Sequence, residues 1–553
     1  MRLRARPHLP LAAMLALAAA VVPVACLQTP ARQTLRVPMR DGTRLATDVY
    51  LPPGNGPFPV VLLRTPYNKD GMAPFAGDAT KRGYAVVVQD TRGRFASEGA
   101  NLPFEGDGWF EGRQDGYDTL EWLAAQRWCN GRIGTFGGSA LGITQLLAAG
   151  SGSQRIGAQI VMVAAPSFYF DCVYPGGVFR KSLVEDWLRA TNHSPQALKA
   201  WTSHPTYDAY WRERDLAGRW SRVNAPAIHI GGWYDIFAQG TIDSFLGYQK
   251  QGGPRARGKQ RLIMGPWTHG ILQERAGVLR FPNGKEPPNG AHDPWRWYDA
   301  HLKGDGRGAA SVPAVTYYVM GDTANPSAPG NEWRTSDRWP PAPYRDTPYY
   351  LTEEGGLVPL RPKRAASRAF VYDPANPAPT VGGNQLSLPA GPMDQRRVEA
   401  RPDVLLFSTQ PLREPVEVTG RVRARLWVST DGPDTDFFVR LCDVYPDGRS
   451  YNVCEGQLRC RFREGFQTEK PMAPGKVVPI VVDLWSTSIV FNRGHRIRVQ
   501  VTSSSAPGFD PNPNTGEPFR ATTKVRVARN SVWLGGAQAS HIDLPVVIGR
   551  PGR

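Results

Sequence analysis

"RIGTFGGSALGITQLLAAG", residues 132–150, sets one hydroxyl among residues with almost no side-chain volume. The stretch from Arg132 to Ser139 reads as a β-strand entering a turn, and Ala140 to Gly150 as a helix packed by small and apolar residues. Ser139 stands at the junction, beside Gly137, Gly138, Ala140 and Gly142. Such neighbours let the backbone take a sharp turn and let another molecule approach the hydroxyl. Open α/β sheets place their sites at the edge where strands hand over to helices. The helix starting at Ala140 also turns its free N–H groups toward that edge. The spacing departs from the common nucleophile elbow, which has glycines two before and two after the serine. Gly137 fits, but Leu141 holds the second position and Gly142 comes one later. A glycine-rich phosphate loop or a plain tight junction would use the same letters. The rest of the chain has to decide.

Working outward, "FPVVLLRTPY" (58–67), "GYAVVVQDTRG" (83–93) and "AQIVMVAAPS" (158–167) are short, β-branched and bounded by turn residues, as buried strands are. "DGYDTLEWLAAQ" (115–126) has the period of an amphipathic helix. Strands alternating with helices give βαβ units and a mostly parallel sheet. From about 168 to 224 the repeat is interrupted by a segment rich in Trp, Tyr, Arg and His, which reads as helices inserted over the sheet. The repeat resumes with "APAIHIGGWYDIFAQG" (225–240), "GKQRLIMGPWTHG" (258–270) and the helix "PWRWYDAHLKG" (294–304). Beyond the proline-rich "RWPPAPYRDTP" the pattern changes to period two, as in "VTGRVRARLWVST" and "GHRIRVQVTSSS", which predicts an antiparallel sandwich or jelly roll. The domain reading is a leader over 1–26, an α/β domain over 34–345 with helices inserted at 168–224, and an all-β domain over 346–553.

A serine hydroxyl is a weak nucleophile unless a base lies within hydrogen-bond reach and a third group orients that base. In α/β folds of this kind the chain order is serine, acid, histidine. Asp235 follows the strand of "HIGGWYDIF" and His269 follows that of "LIMGPWTHG". Asp235 has a plainer reading as a helix cap, and His269 as a surface residue. Of the nine histidines, however, only His269 has both the order and the position.

The motifs "RTPYNK", "QDTRGRFASEG", "DGYDTLEWLAAQRWCNGRIGTFGGS", "GGWYDIF", "GPWTHG" and "FDPNPNTG" occur here in one order. In that combination the chain resembles the cocaine-esterase and X-Pro dipeptidyl-peptidase group of serine hydrolases, which includes α-amino acid ester hydrolases. The resemblance runs from about 34 to 550. It implies an α/β-hydrolase domain, a helical cap inserted before the Asp loop, and a C-terminal jelly roll. By position it implies Ser139 as nucleophile, His269 as base and Asp235 as orienting acid. It further implies that Tyr67 of "RTPYNK" and the backbone N–H of Ala140 are the donors to an oxyanion. Two departures stand out. The family commonly has an aromatic residue where this chain has Ala140. Members selective for a free α-amino group carry extra carboxylates just beyond the catalytic Asp, whereas "DIFAQG" offers none. Asp171 in the insertion is the remaining candidate counter-charge.

The chain has 553 residues and a formal net charge of +17. The arginine excess is scattered rather than gathered into a phosphate-tracking stripe, so nucleic acid is not an expected partner. "MRLRARPHLPLAAMLALAAAVVPVAC" has a basic start, an apolar run and small residues, the layout of an export signal. That makes the protein periplasmic or cell-envelope associated, with either simple cleavage or lipid attachment at Cys26; Pro23 fits a lipoprotein signal poorly. Cys442, Cys454 and Cys460 lie close enough in sequence for two to pair, with connectivity open. "DGPDTD" (431–436) reads as a turn between strands rather than a calcium loop, whose ligand spacing is missing. No metal or cofactor is implied. The expectation is therefore an exported serine hydrolase cleaving ester or amide bonds of a small-molecule or short-peptide acyl substrate through an acyl-enzyme. The rivals are an X-Pro dipeptidyl-peptidase, a β-lactam or amide acylase and, in another class, a non-catalytic binding module. Homo-oligomerisation is left open.

Overall fold

A computed structural model describes residues 31–305, 312–341 and 343–549. The leader over 1–26, with Cys26, lies outside them. The first half of the chain builds a ten-stranded sheet. Eight of its strands are β1 (Arg32–Pro38), β2 (Arg44–Tyr50), β3 (Phe58–Thr65), β4 (Ala85–Asp90), β5 (Cys129–Gly138), β6 (Ile156–Met162), β7 (Ala227–Gly232) and β8 (Arg261–Gly265). Their spatial order is β1-β2-β4-β3-β5-β6-β7-β8, followed by Val315–Val319 and Glu332–Ser336. Pairing is parallel from β4 through β8. The edge pairs β1–β2 and β2–β4 are antiparallel.

The sheet is buried on both faces, which is why its strands read as continuous apolar runs. Val60 and Leu62 of β3 and Val87 of β4 enter one core, with Leu120 and Leu123 of helix α2 (Asp115–Ala124) and Leu146 and Leu147 of α3 (Ala140–Gly150). Val61, Leu63 and Val88 enter the opposite core, with Ala76 and Ala79 of α1 (Ala73–Lys81). Between β6 and β7 the chain leaves the sheet and forms a helical cap. Its main elements are α4 (Lys181–Ala190), α5 (Pro195–Thr202) and α6 (Ala209–Arg214). Helix α7 (Ala238–Gln251) then follows β7.

The last strand of this sheet ends at Ser336, and Tyr344 opens the first strand of the β domain. Two antiparallel sheets face each other there. One contains the long strand Val416–Thr430, and the other contains Asp436–Val444. Along Val416–Thr430, Val422, Ala424, Leu426 and Val428 point into the core, while Arg421, Arg423 and Arg425 lie outside it. This is the period-two pattern of a half-buried strand. One four-residue helix, Arg396–Glu399, interrupts a region that the sequence reads as free of helices.

The "DGPDTD" turn carries two fully buried carboxylates. Arg459 grips Asp436 through two bonds of 2.9 Å, and Arg461 Nε lies 2.8 Å from Asp434. Asn512 of "FDPNPNTG" donates to both carboxylates at 2.8 Å. Guanidinium groups thus supply the positive charge that these acids need. Cys129, Cys172, Cys442, Cys454 and Cys460 are all buried free thiols, so the suggested pairing among the last three does not form.

Candidate active site

Ser139 occupies the turn between β5 and α3 with φ 57° and ψ −125°. A non-glycine residue rarely adopts this conformation, and such strain concentrates at functional positions. The small neighbours have specific reasons. A Cβ on Gly142 would come within 2.6 Å of the Ala164 Cβ, and one on Gly137 within 2.5 Å of the Leu141 Cβ. Gly137 itself sits at φ 144°. Hydrogen bonds lock the junction. The Ser139 N–H donates to the Met162 carbonyl at 3.0 Å. Gln145 of α3 reaches back to the Gly137 carbonyl at 2.9 Å and the Ile160 carbonyl at 3.1 Å.

The three residues expected to act together meet. His269 Nε2 lies 2.9 Å from Ser139 Oγ, and Nδ1 lies 2.6 Å from Asp235 Oδ1. Asp235 follows β7 and is fully buried, while His269 follows β8 and keeps a small exposure. The second Asp235 oxygen accepts the Phe237 N–H at 3.1 Å, so both oxygens are engaged. The orientation is that of a base held through Nδ1–H, with Nε2 free to accept a proton from the serine.

Tyr67 follows β3 and reaches the same edge. Its phenol oxygen accepts the Trp187 indole N–H at 3.0 Å. Burial raises the phenol above its ordinary pKa, while the Trp187 indole, the Ser139 hydroxyl, the Arg94 cation and the Ala140 backbone pull it the other way. Tyr67, Ser139 and Ala140 line one cavity.

A cavity opens onto Ser139. Ile143, Phe104, Phe168, Leu183, Trp187 and Leu386 are among its walls, and no lining residue carries a formal charge. The small side chain of Ala140 leaves space in it. Asp171 is not among the lining residues. Its carboxylate accepts the Ser167 N–H at 3.1 Å and packs toward Gly240 of α7. Burial, then the nearby Asp243 and Asp215, push Asp171 well above the usual carboxylate range. The suggested counter-charge for an amine is therefore buried outside the cavity lining, bonded to the Ser167 backbone.

The model of the X-Pro dipeptidyl-peptidase S15 family matches residues 41–197 and 181–271, and that of the X-Pro dipeptidyl-peptidase C-terminal non-catalytic domain matches 307–543. The cocaine esterase of Rhodococcus sp. (strain MB1 Bresler) is 35% identical over 578 aligned residues, covering 92% of this chain and 97% of that protein. The chain belongs to this family of serine hydrolases. Among solved structures, an aminopeptidase from the marine sediment archaeon Thaumarchaeota archaeon superposes with a TM-score of 0.81 at 26% identity, covering 95% of this chain and 98% of that one. An α-amino acid ester hydrolase superposes with a TM-score of 0.79 at 27% identity, covering 95% and 98%. The fold is thus an α/β-hydrolase domain followed by the family's C-terminal β domain. The match to the C-terminal model starts before Val315–Val319 and Glu332–Ser336, two strands that complete the hydrolase sheet.

The family's two-domain build explains residues that sequence reasoning missed. Asn384, from the β domain, donates to the Asp235 carbonyl at 2.7 Å and the Trp233 carbonyl at 3.2 Å. Arg180, from the cap, donates to the Ile236 carbonyl at 2.9 Å. Both fix the backbone of the acid's loop. Their partners are carbonyls, which have no residue-type signature, so no motif announces them.

The packing around Ser139 makes a direct prediction. Gly142→Ala forces α3 away from Ala164 and displaces the serine turn. The cost is about 1–3 kcal/mol, as for other overpacked cores. A lower melting temperature together with a reduced kcat is the expected result. Wild-type values for both would show that the turn does not depend on this contact.

Proposed function

We propose that this chain is an exported esterase that cleaves esters of uncharged, apolar acyl groups through a covalent acyl-Ser139 intermediate. The observation that carries the acyl preference is the uncharged cavity opening onto Ser139. A cationic amine placed there would lose its hydration without gaining a counter-charge. This weighs against the aminopeptidase and amino-ester specificities named for two structural neighbours. The relative named a cocaine esterase supports an ester as the preferred linkage.

In the proposed mechanism Ser139 Oγ attacks the acyl carbon while His269 Nε2 takes its proton. The buried Asp235 stabilises the imidazolium that forms. Negative charge grows on the acyl oxygen, where the Tyr67 hydroxyl and the Ala140 N–H donate to it. His269 then protonates the leaving alcohol, the carbon–oxygen bond breaks, and the acyl group stays on Ser139. Water then gives a proton to His269 as its oxygen adds to the acyl carbon; the bond from that carbon to Ser139 Oγ breaks, His269 returns the proton to Oγ, and the acid leaves. Export rests on the leader-like residues 1–26, with the cell envelope as the proposed location.

Three results are expected. Ser139→Ala lowers kcat on the order of 10⁶-fold, and adding His269→Ala costs little more, because the residues act as a unit. Substantial hydrolysis by Ser139→Ala would overturn the assignment. In a substrate panel, p-nitrophenyl esters of aromatic or branched acids should be turned over with a higher kcat/KM than X-Pro-p-nitroanilides; the reverse order would favour the dipeptidyl-peptidase reading. Mass spectrometry of protein from its own host should find a mature N-terminus at or near Cys26, with or without lipid. An intact Met1 on most molecules would contradict export.

A further inference from the structure

We propose that Trp187 is a positioning residue for the oxyanion site: its indole N–H, presented by the cap, orients the Tyr67 phenol and strengthens it as a donor. This rests on the proposed role of Tyr67. The indole N–H lies 3.0 Å from the phenol oxygen. An indole donates and never accepts. The phenol oxygen is therefore the acceptor, and its own hydrogen must point elsewhere. Tyr67 and Ser139 line the same cavity, so that hydrogen can turn toward the reacting edge. A hydroxyl that accepts one hydrogen bond donates a stronger one, and the effect grows in a water-poor site. The demand is greatest when charge develops on the acyl oxygen.

The indole is held in place by its surroundings. Its ring stacks on Phe104 with centroids 5.9 Å apart and planes 7° apart. His193 meets it edge-on at 4.9 Å and is itself bonded to Asn101 at 3.0 Å. A second tether runs through buried Arg94. Its Nε donates to the Pro66 carbonyl, just before Tyr67, at 2.9 Å. The same guanidinium donates to the Thr191 carbonyl at 2.6 Å and the Asn192 carbonyl at 3.1 Å, at the end of the helix carrying Trp187. One cation thus ties the backbone at Tyr67 to the backbone at the end of α4. The oxyanion site is completed by the cap rather than by the hydrolase sheet alone. Because Trp187 also lines the acyl cavity, the wall that receives the acyl group is the same side chain that holds the donor.

The test is a double-mutant cycle on kcat and KM with a p-nitrophenyl ester, using Trp187→Phe, Tyr67→Phe and the double variant, with folding followed by circular dichroism. Phenylalanine keeps an aromatic ring against Phe104 and removes the N–H. Tyr67→Phe is expected to lower kcat roughly 10²–10³-fold. Trp187→Phe should lower kcat about 5- to 20-fold, the scale of one hydrogen bond to a group gaining charge, with a smaller change in KM. In the Tyr67→Phe background the same substitution should change kcat by less than about twofold, the margin within which independent effects add. Equal losses in both backgrounds would show that Trp187 serves packing alone and overturn the proposal. So would a normal kcat for Trp187→Phe while Tyr67→Phe is impaired. A normal kcat for Tyr67→Phe would overturn the oxyanion role and, with it, this proposal. If Trp187→Phe fails to fold, Trp187→Leu in the same two backgrounds gives the same comparison.

Discussion

The turn at Ser139 is the constraint on which the site depends. A left-handed residue between a strand and a helix costs about 1–3 kcal/mol. The structure holds it there by close packing and buried hydrogen bonds. Gly142 lets α3 approach the Ala164 Cβ, and Gln145 ties the helix to the ends of both β5 and β6. The serine cannot relax without moving a helix that is buried along its length. From that fixed point the geometry follows. β7 and β8 lie beyond β6 in the sheet, so the residues just past their ends arrive at successive distances from the serine along one edge. An acid after β7 and a histidine after β8 complete the chain Asp235–His269–Ser139 without further invention.

What surrounds that edge comes from other parts of the chain. The cap contributes Trp187 to the Tyr67 phenol and Arg180 to the acid's loop. The β domain contributes Asn384 to the same loop and Leu386 to the cavity wall. The acid's loop is thus braced by two bodies outside the sheet, and both contribute walls to the cavity beside Ser139. The sheet edge carries Ser139, Asp235 and His269, while the cap and β domain supply walls around them.

Most of the fold was legible because its signals are periodic. β3 and β4 sit between two cores, so they read as unbroken apolar runs. Val416–Thr430 of the β domain has one wetter face along much of its length, so it alternates. The serine, acid and histidine were legible because α/β topology fixes their order along the chain. Trp187 and Asn384 were not. Trp187 bonds a residue 120 positions away, and Asn384 one 149 positions away. Neither belongs to a motif whose chemistry points across that gap. Asp171 shows the opposite failure. Its residue type suggested a counter-charge, but it is buried outside the cavity lining, where burial and two other carboxylates disfavour its charged form, and burial is invisible in a lone letter. Val315–Val319 and Glu332–Ser336 also escaped, because each is a five-residue strand in a segment with no clear repeat.

The central claim is that Ser139 takes the acyl group. Rapid-quench mass spectrometry during turnover of a p-nitrophenyl ester tests it most directly. The account predicts a protein mass increased by one acyl group, appearing in the burst that precedes steady state, and mapping after proteolysis to the peptide containing Ser139. Steady turnover with no acylated protein at any time, or an adduct mapped to a different residue, would contradict it.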